Sequence, residues 1–222
     1  MLHRHQGRLR RRDRPARHSA AFLEALFSLQ AYDALAPGEA LGLLWSGVAS
    51  DFSYVKITYT VEALHRLWTK YKGDVALIRQ EVESGRASLK RSARVRTIAL
   101  SRESSTALSH LRQTTSPEAL LVFPAVNGRP ERLQHLDQIC QGLCQAAGIK
   151  RHNPSDLRHT AISVALAYAK EAEGISYANV SAWAGHASVS ITIDNYLHML
   201  PAGPSSITAW GQLQRAPLNG AQ

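Results

Sequence analysis

Nearly every apolar stretch of this chain recurs at helical spacing, and only two segments break that rule. Residues 52–60 alternate, with Val55, Ile57 and Tyr59 on one face and Tyr54, Lys56 and Thr58 on the other, while Val95 to Leu100 forms a second short extended run. Two brief strands among helices predict a mainly helical α+β domain with a small antiparallel sheet near its first third. The basic turn at residues 85–94 belongs to that sheet. Phe22, Leu23, Leu26 and Phe27 define a first helix with Ser19 as its cap. A break at Ala36-Pro37-Gly38 precedes a short helix from Glu39 to Leu44. Helical spacing resumes over 61–83, interrupted at Gly73, and again from Ser101 to about Arg112 and from Leu133 to Ala147, where Gly148 stops it. Asn153-Pro154 delays the next helix to Ser155, its expected cap, and that helix runs to Lys170. Val180 to Ala184 and Ser190 to Leu200 flank a turn at Gly185.

Composition narrows the functional classes. The 222 residues suit one domain, and no uninterrupted apolar run is long enough to form a transmembrane helix. Cys140 and Cys144 stand four apart in one helix, which argues for buried thiols rather than a disulfide framework and for a reducing cytoplasm. Lys and Arg exceed Asp and Glu by 26 to 17, a net charge of +9. Residues 1–18 alone carry seven Arg against one Asp and read as a disordered basic arm suited to an anionic polymer, of which nucleic acid is the usual one.

Three places carry chemistry. In Ser155-Asp156-Leu157-Arg158-His159-Thr160 the guanidinium of Arg158 falls near the start of a helix, where a phosphate would meet both the fork and the positive end of the dipole. Gly185-His186 and Tyr196, ten residues on, bring an imidazole and a phenol together across a turn. Lys90 stands at the tip of the basic turn. Arginine, lysine, histidine and tyrosine together can attack a phosphodiester without a metal. The ten histidines show no metal-type spacing, so neither a metal nor another cofactor is expected. The segment Val180 to Leu200 also fits a helix-turn-helix regulator, a role that would leave Lys90 and Arg158 without a purpose.

These segments resemble the tyrosine recombinases, the phage-type integrases and Xer-like recombinases. Pro37-Gly38-Glu39-Ala40-Leu41-Gly42-Leu43-Leu44-Trp45 resembles the segment after that family's first catalytic arginine. Lys90 with Arg96-Thr97-Ile98-Ala99-Leu100 resembles the hairpin lysine and the strand behind it, and Asp156-Leu157-Arg158-His159-Thr160 the His-x-x-Arg box. Gly185-His186 through Ile191-Thr192-Ile193-Asp194-Asn195-Tyr196-Leu197-His198 resembles the closing His–Tyr box. The resemblance implies a catalytic domain over 19–202 and a tail, 203–222, of the kind exchanged between protomers. No stretch before residue 22 has room for the family's separate N-terminal DNA-binding domain.

The resemblance also implies a mechanism. Tyr196 attacks a scissile phosphate of double-stranded DNA to leave a 3′-phosphotyrosyl link, within a homo-oligomer assembled on the DNA. Arg158 and His186 bind the phosphate oxygens, and Lys90 protonates the departing 5′-oxygen. Arg91, Arg94, Arg96 and His159 are the candidate DNA contacts. Two positions depart from the family's pattern: Ala36 stands where it has an arginine, and Ser155 where it has a histidine. His152 is the imidazole nearest Ser155 in sequence. The departures predict weak strand transfer or, alternatively, an inactive DNA-binding module derived from an integrase.

Overall fold

The computed structural model describes residues 18–85, 95–171 and 176–196. Ser19 caps α1 (Ala20–Ala31), its hydroxyl accepting the Phe22 N–H at 3.2 Å. Phe22, Ala25, Leu26 and Leu29 give this helix a buried stripe that packs on α5 (Arg102–Gln113) and α7 (Pro154–Glu171). The connection after α1 holds the buried Asp33, whose carboxylate accepts both the backbone N–H and the hydroxyl of Ser101, the α5 cap. Burial lifts the Asp33 pKa despite those bonds.

Strands β1 (Tyr54–Ile57) and β2 (Arg96–Ala99) pair antiparallel, with Val55 opposite Ile98 and Ile57 opposite Arg96. Both are shorter than their alternating pattern. Phe52 adopts a left-handed φ of 58° in the turn before β1, and Thr60 already flanks the next helix. Val55, Ile57 and Tyr59 are buried, as the alternation requires. Between the strands lie α3 (Val61–Lys70) and α4 (Val75–Glu83), which with Tyr59 and Leu121 enclose a second apolar cluster. Helix α2 (Pro37–Leu41) starts two residues earlier than its spacing suggests, because the Glu39 carboxylate turns back to accept the Ala36 N–H at 3.0 Å. Gly42 ends α2 where a Cβ would lie 2.5 Å from the Tyr59 carbonyl oxygen, so only glycine lets the two backbones meet.

Helix α6 (Leu133–Ala146) buries Leu136, Cys140 and Cys144 on one face. Burial pushes the Cys140 thiol up to about 11. Helices α7, α8 (Tyr177–Ala184) and α9 (Val189–Tyr196) close the domain around a third apolar cluster of Ala34, Ile162, Leu166, Val180, Ala184 and Tyr196. One expectation is corrected here. Ser155 does not cap α7: the helix starts at Pro154, whose missing N–H costs nothing in a first turn, and the Asp156 carboxylate accepts the Asn153 N–H at 3.0 Å. No helix among the described residues is long and apolar enough to cross a membrane.

Candidate active site

The site is built where α2, β2, the start of α7 and the α8–α9 turn converge. A buried carboxylate, Glu39, takes two guanidinium groups. Arg96 donates from both terminal nitrogens, to Oε1 at 2.8 Å and Oε2 at 3.0 Å, and Arg158 reaches Oε2 at 3.4 Å. Burial alone would raise the Glu39 carboxyl. The hydrogen bonds and charge of Arg96, the Ala36 N–H and the charge of Arg158 outweigh it and hold the group below its ordinary value. Two cations against one anion leave this trio with a net charge of +1.

Both arginines also bind the end of α8. Arg96 donates through Nε to the Trp183 carbonyl at 2.9 Å, and Arg158 donates to the Ala184 carbonyl at 2.7 Å and to that of Ala34. These last carbonyls of a helix have no intrahelical donor, so they are natural acceptors for cations. Gly185 follows with a left-handed φ of 72°, and a Cβ there would lie 2.4 Å from an Arg96 terminal nitrogen. Glycine is therefore required twice over, by the backbone and by the guanidinium packed on it.

Beyond that turn, the His186 ring lies 5.8 Å from the Tyr196 ring, nearly parallel to it, and the His159 ring lies 5.3 Å from the Tyr196 ring. Tyr196 is only 2% exposed. Its hydroxyl is not in wholly apolar surroundings, since the charge of the nearby Arg158 guanidinium acts on it. Burial raises the phenol pKa, and the Arg158 charge and hydrogen bond offset part of that rise. The Arg158 pKa is itself lowered, by burial first, with Glu39 opposing.

His186 shares a 2.7 Å hydrogen bond between its Nδ1 and the Thr192 hydroxyl. Burial, then the charges of Arg158 and Arg96, push its pKa down to about 4, so the ring is neutral at pH 7. When Thr192 donates to Nδ1, the ring carries its proton on Nε2 and can donate that to an anion. An unfolded chain takes up this proton near the ordinary value of 6.5, whereas the folded chain does so only near 4. Stability tied to His186 is thus fully present above pH 6.5 and falls as the pH drops toward 4. We expect a loss on the order of 1–3 kcal/mol over that window. Urea unfolding of the wild type and of His186→Gln at pH 7.5 and pH 4.5 measures it. The same pH dependence in both proteins would remove His186 as the cause.

The structure therefore brings Arg158, His186, Tyr196, Arg96 and His159 together. Arg96 sits inside the ion-pair network, whereas the imidazole of His159 is exposed. Lys90, Arg91 and Arg94 lie outside the described residues. Ala36 and Ser155, far apart in sequence, line the same cavity of about 380 Å³, together with Glu39, Glu62 and Asp137. His152 is exposed and pairs with Asp156 at 3.2 Å. Sequence reasoning did not single out Glu39 or Thr192. An acidic residue in an otherwise apolar helix, Pro37-Gly38-Glu39-Ala40-Leu41, was the available signal, because a buried carboxylate needs a cationic partner.

The sequence pattern of the phage integrase family matches residues 15–202. The chain belongs to the phage integrase family. Among solved structures, this integrase-family chain is similar to the XerA recombinase at 21% identity and a TM-score of 0.57, over 90% of this chain and 58% of that one. It is similar to the Tn1549 transposon integrase in complex with transposon right end DNA at 15% identity and a TM-score of 0.56, over 87% of this chain and 58% of that one. XerH bound to palindromic difH substrate, a post-cleavage complex, matches at 15% identity and a TM-score of 0.54, over 90% of this chain and 49% of that one. The chain thus spans about half to three fifths of the length of these recombinases, whose catalytic-domain fold it shares: mostly helical, with a small two-stranded antiparallel sheet. No curated protein sequence matches it.

Proposed function

We propose that this integrase-family chain cuts and rejoins double-stranded DNA through a 3′-phosphotyrosyl link at Tyr196, acting as a homo-oligomer on the DNA. The observation that carries the reading is the phenol of Tyr196 near the guanidinium of Arg158, with the rings of His159 and His186 lying 5.3 Å and 5.8 Å from its own. Tyr196 attacks the phosphorus, and its proton passes to water as the bond forms, eased by the adjacent cation. Arg158 stabilises the charge that gathers on the non-bridging oxygens. His186, neutral at pH 7, donates a hydrogen bond to them. Lys90 gives its proton to the 5′-oxygen as the P–O bond breaks. The covalent link retains the phosphodiester energy for rejoining. Arg91, Arg94, Arg96 and His159 contact the duplex near the break.

The Arg158 donors are occupied by Ala34, Ala184 and Glu39 in this conformation. A second reading, an inactive DNA-binding module, is favoured by Ala36 and Ser155 together leaving one wall of the cavity without cationic or imidazole groups. Trapping on a nicked suicide duplex separates the two. An SDS-resistant adduct establishes cleavage. No adduct on any duplex, with binding still present, establishes the module. In both cases the affinity for DNA falls steeply between about 50 and 200 mM salt, because Lys and Arg displace counterions from phosphates. Binding indifferent to salt would defeat both readings.

A further inference from the structure

A second cluster of ligand-type side chains lies away from Arg158 and Tyr196. His18 Nε2 stands 2.7 Å from Glu131 Oε2, and His135 Nδ1 stands 3.0 Å from the same oxygen. All three ligand atoms lie within 4.8 Å of one another. The His18 and Glu131 side chains are 6% and 4% exposed, and His135, at 36%, opens the cluster to solvent.

The three are held before any ligand arrives. The His18 ring stacks on Phe22 at 4.0 Å, and Phe22 packs edge-on against Phe123. The second oxygen of Glu131 accepts the Arg132 N–H at 2.7 Å, which orients the carboxylate, and the Glu131 carbonyl pairs with His65 Nε2 at 3.1 Å. Such supporting bonds are what fix metal ligands in place. Glu131 immediately precedes the Arg132 cap of α6 and His135 lies in its first turn, so the two side chains meet at the helix start.

Two imidazoles and one carboxylate are a donor set for zinc and neighbouring divalent transition metals, whereas magnesium and calcium prefer oxygen alone. Donors around tetrahedral zinc stand about 3.4 Å apart. The two short separations here open to that value with shifts well under about 1 Å, within side-chain rotation, and a water completes the shell on the exposed His135 side.

We propose that His18, Glu131 and His135 form a binding site for a zinc-type divalent transition-metal ion. The ion fastens residue 18, the last of the Arg-rich stretch of the sequence, to the start of α6. The site is independent of the strand-transfer reading. Sequence spacing could not reveal it, because His18 and Glu131 are 113 positions apart.

Zinc titration of the EDTA-stripped full chain by calorimetry tests the proposal. The expected result is one ion per chain, a raised Tm, and an affinity that falls at least about 100-fold in both Glu131→Gln and His135→Ala, since losing even an outer-shell partner costs 10–100-fold. Absence of one-to-one binding, or a loss below tenfold in either folded variant, would overturn it. If Glu131→Gln does not fold, His135→Ala decides with cobalt as the probe. Visible bands of nitrogen and oxygen ligation must appear in the wild type and vanish in the variant. Cobalt–thiolate absorption instead would assign the metal to Cys140 and Cys144 and defeat the site.

Discussion

Incubated with a nicked suicide duplex, the wild-type chain should yield an SDS-resistant protein–DNA adduct, and Tyr196→Phe should yield none. The substitution removes one oxygen and retains the ring that fills the third apolar cluster with Ile162, Leu166 and Ala184. Fold and DNA affinity should therefore persist while the adduct falls by a factor on the order of 10⁴ or more, as when a nucleophile is lost. Arg158→Ala complements it. That change removes the charge facing the phosphate and also the tie to the Ala184 carbonyl, so adduct formation drops at least about 10²-fold, with some loss of stability. Gel analysis of radiolabelled duplex with each protein reads these effects. An adduct of wild-type yield from Tyr196→Phe would exclude this phenol as the nucleophile.

The sequence carried the helices and strands because their signals are local. Ser19 as a cap, the interruption at Gly73, and the Val55–Ile57–Tyr59 face each depend on neighbours within a turn or two. Ser155 failed as a cap because the helix already begins at Pro154, which puts Ser155 inside the first turn, and the Asp156 carboxylate turns back to the Asn153 N–H. The candidate site was legible as residues but not as a network. Glu39 is 57 positions from Arg96 and 119 from Arg158, so no periodicity joins them. Without that carboxylate, Arg96 read as a DNA contact on a basic turn. Within the fold its guanidinium also braces the carboxylate and the end of α8. The low pKa of His186 likewise follows from two cations and burial that only the tertiary structure assembles.

Placing Ala36→Arg and Ser155→His in one chain should raise strand cleavage by a factor on the order of 10² or more, because each missing donor is worth about 10²–10³ in rate where charge develops. The structure supplies the room. Both positions border the same cavity of about 380 Å³, large enough for a guanidinium and an imidazole. It also supplies partners, since Glu39 and Glu62 line that cavity and can hold a new arginine while Arg96 and Arg158 keep their places. The α7 start tolerates the histidine because Ser155 is not the cap and makes no bond that the fold requires. Single substitutions should each gain less than the pair, since a phosphate held by one added donor remains exposed on the other side. Single-turnover cleavage of the suicide duplex by the four proteins measures the gains. Equal rates for the wild type and the pair would mean that these two positions do not face the scissile phosphate, and the alignment of the chain with the recombinases at residues 36 and 155 would fall with them.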